Sequence, residues 1–194
     1  TFQATTQKEL IENALESVEV PKGITLRVVR FTKDLVPIRN LPVSEGDTMV
    51  PNYGMAPEDA DNELTLIAEK AGRPVAQISA DFEMMNAPHT SIDAYVNGIF
   101  VSSEERGQGI AAALGKAMVE ISEDWRQAQA SHAGRSLDGN VSISGYAHPQ
   151  SGGQATLDKM TAYAQEVADR ASRELSNPSS EENTFPKTET EADE

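Results

Sequence analysis

The sequence predicts a mixed α/β domain, and three observations predict it. Short apolar, β-branched runs and helical stretches follow one another in an irregular order rather than a strict strand-helix alternation. Two of the runs flank a glycine-containing turn, which reads as a hairpin. Another run ends in a polar turn whose glycine pair opens a long amphipathic helix. A length of 194 residues suits one such domain with some chain left for tails.

Taken in order, residues 5–18 are expected to be helical, because Leu10, Ile11, Ala14, Leu15 and Val18 recur at helical spacing. Pro21-Lys22-Gly23 stops that segment, and Ile24 to Phe31 is a first strand. Thr32 caps a second helix that Pro37 and Pro42 keep short. Residues 43–62 read as a long loop with Glu45, Asp47, Glu58, Asp59 and Asp61; loops of that length cover a site or are disordered. Glu63 to Ala68 and Pro74 to Phe82 are expected to pair around Glu69-Lys70-Ala71-Gly72-Arg73. Ser91 to Val101 is the next strand, and Gly107 to about Ser131 a long helix with Ile110, Ala113, Leu114, Ala117, Met118, Ile121 and Trp125 on its apolar stripe. Asp138-Gly139-Asn140 turns into a strand from Val141 to Ala147. Gly152-Gly153 precedes a last helix carrying Leu157, Met160, Ala164, Val167 and Ala168 on one face. The expected organisation is a helical extension over 1–22, the domain over 23–175 and an acidic, flexible tail over 176–194.

Composition narrows the function classes. There is no cysteine, which excludes disulfides, thiolate catalysis and cysteine-bound zinc. The three histidines, His89, His132 and His148, have no metal-ligand spacing, so no metal is expected. The net charge of -15 repels phosphate backbones and argues against nucleic acid, while it suits cationic amines. No apolar run approaches the roughly 20 residues of a membrane helix. With a polar start from Thr1 to Leu15, a cytoplasmic protein without a membrane partner is expected. Met84, Met85 and Trp125 read as packing residues.

The chemistry concentrates between Asn97 and Leu114. An apolar strand ends at Val101, a polar turn follows, and Gly107 and Gly109 open a helix. The first turn of a helix has unpaired N–H groups and a partial positive charge, so it attracts phosphate. Glycines there remove the Cβ atoms that keep a phosphate at a distance, and Arg106 adds a charged donor. No Gly-Lys-Ser/Thr follows, so this is not a nucleotide-triphosphate loop, and the dinucleotide glycine pattern is incomplete.

The run Arg106-Gly107-Gln108-Gly109-Ile110-Ala111, placed after Phe100-Val101, resembles the pyrophosphate-binding motif of the Gcn5-related N-acetyltransferase (GNAT) family. Leu26 to Leu35 resembles that family's first strand and helix, and Leu66 to Ala76 its hairpin, so the resemblance covers roughly residues 23–170. It implies a GNAT-like mixed sheet flanked by helices and acetyl-CoA as co-substrate. The backbone of Phe100 and Val101 would then pair with the pantetheine arm. Arg106, Gly107, Gln108, Gly109, Ile110 and Ala111 would hold the pyrophosphate. Asn97-Gly98 would be the bulge that splays two strands, a reading that glycine within a strand also supports. The implied reaction is acetyl transfer to the amine of a small molecule or a protein, with a base and an acid. Asp93 and Glu63, the latter expected on the facing strand, are the candidate bases, Tyr95 a helper through water, and Tyr163 the candidate acid.

Two departures qualify the resemblance. The family's asparagine after the fifth strand is absent, and the slot of its following tyrosine falls near Lys159 or Met160. The family's last two strands are not expected after the last helix either, which would leave an open sheet edge for a homo-oligomer, an assembly partner or the N-terminal helix to cover. The alternative expectation is therefore a non-catalytic GNAT-fold subunit of a larger assembly, such as a bacteriophage particle.

Overall fold

The computed structural model describes residues 4–29, 63–147 and 152–176. Helix α1 (Ala4–Glu16) leads into strand β1 (Ile24–Val29). Strands β2 (Glu63–Lys70), β3 (Arg73–Met85) and β4 (Ser91–Val101) follow, then a single 3-10 turn (Ser103–Glu105). Helix α2 (Ile110–His132), strand β5 (Val141–Gly145) and helix α3 (Gly153–Ser176) complete the described chain. The helix expected from Thr32, the loop over 43–62 and the tail beyond Ser176 lie outside the described residues.

The five strands form one sheet in sequence order, β1-β2-β3-β4-β5. The first four each run antiparallel to their neighbours, while β5 lies parallel to β4, so the sheet is mixed as expected. A parallel neighbour requires a crossover connection, and α2 is that connection. The β2–β3 hairpin turns on Ala71 and Gly72, both at positive φ (51° and 74°). Its strands run past the expected ends: β2 reaches Lys70, which pairs with Arg73 across the tight turn, and β3 reaches Met85, which pairs with Ser91 of β4. Conversely β5 stops at Gly145 instead of Ala147, where its pairing with Val96 ends.

The core lies between the sheet and the three helices. Leu66, Ala76, Ile78, Ala80 and Val96 meet Leu114, Ala117, Met118 and Ile121 of α2. Each large side chain so buried contributes about 1.5–3 kcal/mol. The expected stripes are the ones that pack: Ala14 and Val18 near α1 are buried, as are Leu157, Met160, Ala164 and Val167 of α3. Trp125 stands edge-on to Phe82, with ring centroids 5.2 Å apart. No described helix is long and apolar enough to cross a membrane.

Helices α2 and α3 run in the same direction. Met160 packs at Gly115, where a Cβ would come within 2.6 Å of its Cγ, and further along both helices Tyr163 and Arg170 reach Glu120. Both N-termini therefore open at one end of the sheet, beside the C-terminal end of β4.

Candidate functional site

A cavity of about 340 Å³ opens at that end. Three elements wall it. The end of β4 supplies Ile99, Phe100 and Val101; the turn into α2 supplies Glu105, Arg106, Gly107, Gly109, Ile110, Ala111 and Ala112; and the start of α3 supplies Gly152, Gly153, Thr156 and Lys159.

The turn is shaped by its glycines. Gly107 and Gly109 hold positive φ (75° and 82°), the left-handed region that a side chain makes costly. This corrects the expected start of the long helix. The left-handed pair belongs to the turn, Gly109 is the N-cap, and the helix begins at Ile110. Ala113 N–H donates to the Gly109 carbonyl, so the N–H groups of Ile110, Ala111 and Ala112 precede the first helical bond. A Cβ placed on Gly107 or Gly109 would have no atom within 4 Å, so the glycines leave open space beside those groups. Arg106 is steadied by donating its Nε to the Val101 carbonyl at 3.1 Å. The one acid of the lining, Glu105, pairs with Lys70 of the β2–β3 hairpin at 3.0 Å. Two cations and two helix N-termini therefore face one cavity in a chain of net charge -15.

Among the described residues, no strand pairs with the edge of β4 along this cavity. Pairing with β5 covers Ile92 to Val96 only. In the pairing with β3, Ser79 faces Gly98 and Ala80 faces Val96, which leaves Asn97 as the extra residue of a bulge. Asn97 donates its side-chain amide to Asp81 Oδ2 at 3.0 Å. Glycine in a strand interior marked this bulge in the sequence.

The structure thus brings together Phe100, Val101, Arg106, Gly107, Gly109, Ile110 and Ala111. Gln108 is exposed on the same turn, outside the lining. The candidate acid–base residues lie elsewhere. Asp93 sits on β4 with Oδ1 accepting from Ser142 and Oδ2 from Ser144, both at 2.8 Å. Tyr95 is 44% exposed, in register with Asp81. Glu63 opens β2 opposite Asp81. The expectation that its strand faces β4 is corrected, because β3 lies between the two. Tyr163 is not in the cavity wall. Its hydroxyl donates to Glu120 Oε1 at 2.5 Å, and its pKa is pushed up to about 12 by burial first and by that carboxylate second. A tyrosine so bound is a poor proton donor.

Sequence reasoning placed Gly152 and Gly153 at a helix start without assigning them to the site, and Lys159 only as the occupant of a tyrosine slot. What brings these residues to the cavity is the parallel packing of α3 on α2, which no local pattern records. Among the described residues no group of three or more acidic or histidine side chains is arranged to hold a metal ion.

The sequence pattern of the acetyltransferase (GNAT) family matches residues 35–146, more than half of the chain. No curated protein matches. Among solved structures, an aminoglycoside acetyltransferase from an uncultured soil metagenomic sample, crystallised with trehalose, is 12% identical with a TM-score of 0.49, covering 74% of this chain and 90% of that one. A ribosomal-protein-alanine N-acetyltransferase from Brucella melitensis biovar Abortus 2308 is 17% identical with a TM-score of 0.43, covering 68% and 86%. A predicted acetyltransferase from Clostridium acetobutylicum, solved with acetyl-CoA, is 16% identical with a TM-score of 0.37, covering 70% and 87%.

Proposed function

The chain belongs to the acetyltransferase (GNAT) family, and from that premise we propose that it is an acetyl-CoA-dependent N-acetyltransferase acting on an amine. The observation that carries the reading is the cavity itself: a strand edge that no described strand pairs with, two converging helix N-termini and two cations in an otherwise acidic chain. Those features fit a ligand with a phosphate-rich head and an amide-bearing arm. The N–H groups from Ile110 to Ala112, with Arg106, hold the phosphates. Gly107 and Gly109 let them approach, and the edge of Phe100 and Val101 pairs with the arm. When bound, acetyl-CoA supplies an activated acetyl thioester.

The residues around the bulge supply the rest. The acceptor amine forms its N–C bond as the C–S bond breaks, and its proton goes to a base. Asp93 and Glu63 are the proposed bases. They lie on the sheet together with Asp81 and Tyr95, and that acidity also draws a cationic amine towards the bulge. The acceptor is accordingly an amine of a small molecule or of a protein.

Calorimetric titration with acetyl-CoA tests the reading, followed by acetylation assays over a panel of amines. Saturable binding is expected, abolished by Gly109→Trp and weakened at least about tenfold by Arg106→Glu. No heat with acetyl-CoA at millimolar concentration would sink it. Binding without turnover of any amine would assign the chain to the non-catalytic GNAT-fold subunits instead.

A further inference from the structure

The two walls of the cavity differ in what they leave unpaired. On the phosphate side, Arg106 already leans on the Val101 carbonyl and Glu105 is matched by Lys70. On the α3 side, Thr156 turns its hydroxyl back to the Gly152 carbonyl of its own helix. Lys159, also in the lining, has no hydrogen bond or ion pair among the described residues.

Its position along the cavity follows from the topology. Because α2 returns the chain from β4 to a parallel β5, it runs antiparallel to β4, and α3 runs with it. Moving into α3 from Gly153 therefore means moving back along β4, from Val101 towards the bulge at Asn97. Lys159 is six residues into the helix, about 9 Å along its axis. This places Lys159 away from the phosphate turn, towards the end of the cavity where the reacting group of an acyl-CoA arm arrives.

We infer that Lys159 faces the sulfur end of the arm and holds the departing CoA thiolate by charge. The inference rests on the acyl-CoA reading above. In the transfer, the thioester C–S bond breaks and its electron pair stays on sulfur. A free lysine ammonium holds its proton more tightly than a thiol, with reference pKa values of about 10.4 and about 8.5. The lysine therefore acts as a fixed positive partner, and the sulfur leaves as the anion of an ion pair.

The test is calorimetric and needs no turnover: the affinities of CoA and acetyl-CoA are measured at about pH 7 and pH 9.5. Only free CoA has a thiol that ionises, so acetyl-CoA is the control for everything else that titrates. In the wild-type protein CoA should gain about fivefold on acetyl-CoA over that range, as expected for a solvent-reachable ion pair. Lys159→Met should remove the gain and Lys159→Arg should keep it, with circular dichroism confirming that both fold. The inference is overturned if Lys159→Met keeps the gain, or if it weakens CoA and acetyl-CoA equally at both pH values, which would make Lys159 a phosphate contact. Failure of the wild-type protein to bind either ligand would instead defeat the acyl-CoA reading itself.

Discussion

The two ends of the α2–α3 pair are built on opposite principles. At the N-terminal end the helices open onto a cavity lined by Arg106, Lys159, the turn at Gly107 and Gly109, and the end of β4. Further along, charges of both signs are buried and paired. Glu120, 6% exposed, accepts from Tyr163 and from Arg170. Glu123 pairs with Arg126, which is 2% exposed and also donates to the carbonyls of Thr90 and Leu137. The displaced pKa values of Asp124, Tyr163 and Arg170 all belong to this closed end. Perturbed titration often marks a catalytic site, but structural ion-pair networks perturb it too. Here the perturbed cluster is the clamp between two helices, Glu120 of α2 with Tyr163 and Arg170 of α3, and it lies away from the cavity.

Breaking the buried Glu123–Arg126 pair, which ties α2 to the backbone at Thr90 and Leu137, should have the largest effect. Arg126→Met strands the Glu123 carboxylate, 5% exposed, and frees the carbonyls that tie the approach to β5. Removing one member of a buried pair costs about 3–5 kcal/mol, which urea unfolding will read as a lower midpoint. The double variant Glu123→Gln with Arg126→Met should recover part of that loss, because no buried charge then lacks a partner. At the open end the balance reverses. Gly109→Val forces a β-branched residue to φ near 82° at the N-cap and should cost about 2 kcal/mol of stability. The loss of acetyl-CoA affinity should exceed that loss of folding energy, a contrast no substitution at the closed end should reproduce.

The sequence made the open end far more legible than the closed one. Its glycines, its arginine and the strand before them are contiguous, and contiguity is what a pattern can carry. The strand Ser91–Val101 was readable to the residue, because β-branched and aromatic side chains end at a polar turn. The closed end was not readable. Glu120, Glu123 and Arg126 recur every third residue on α2, a spacing that carries no signal of burial. Only the arrival of Tyr163 and Arg170 at Glu120, 43 and 50 residues later, and of the Thr90 and Leu137 carbonyls at Arg126 shows those side chains to be covered. The same distance hid Lys159 and Thr156 from any local reading of the cavity, and it made Tyr163 look available as an acid.

Tyr163→Phe separates those two accounts of the tyrosine. The change removes a hydrogen bond to a carboxylate and leaves Glu120 with its Arg170 contacts. A bond to a charged group contributes about 1.5–3 kcal/mol, with the lower figure expected because Arg170 remains. Stability should therefore fall by about 1.5 kcal/mol while kcat stays within about twofold of the wild type. A fall in kcat of a hundredfold or more would return the tyrosine to the reaction, because general acid–base groups typically contribute at that level.

The smallest effect tests whether the closed end is strained by its own charge. Burial, and then the neighbouring carboxylates of Glu120 and Glu123, raise Asp124 from 3.8 to about 6, with Arg170 pulling the other way. A raised carboxyl binds its proton more tightly in the folded state than in the unfolded one. Its contribution is therefore fully present below about pH 4 and is lost as pH rises through about 6. At neutral pH the ionised group opposes folding, although solvent reaches it and screens the penalty to about 1 kcal/mol. Asp124→Asn should consequently stabilise the protein at pH 7.5 by up to about 1 kcal/mol and do nothing near pH 4. Thermal unfolding of both proteins across that range checks the sign: an unchanged pH slope between 4 and 6 would mean that Arg170 already neutralises the site.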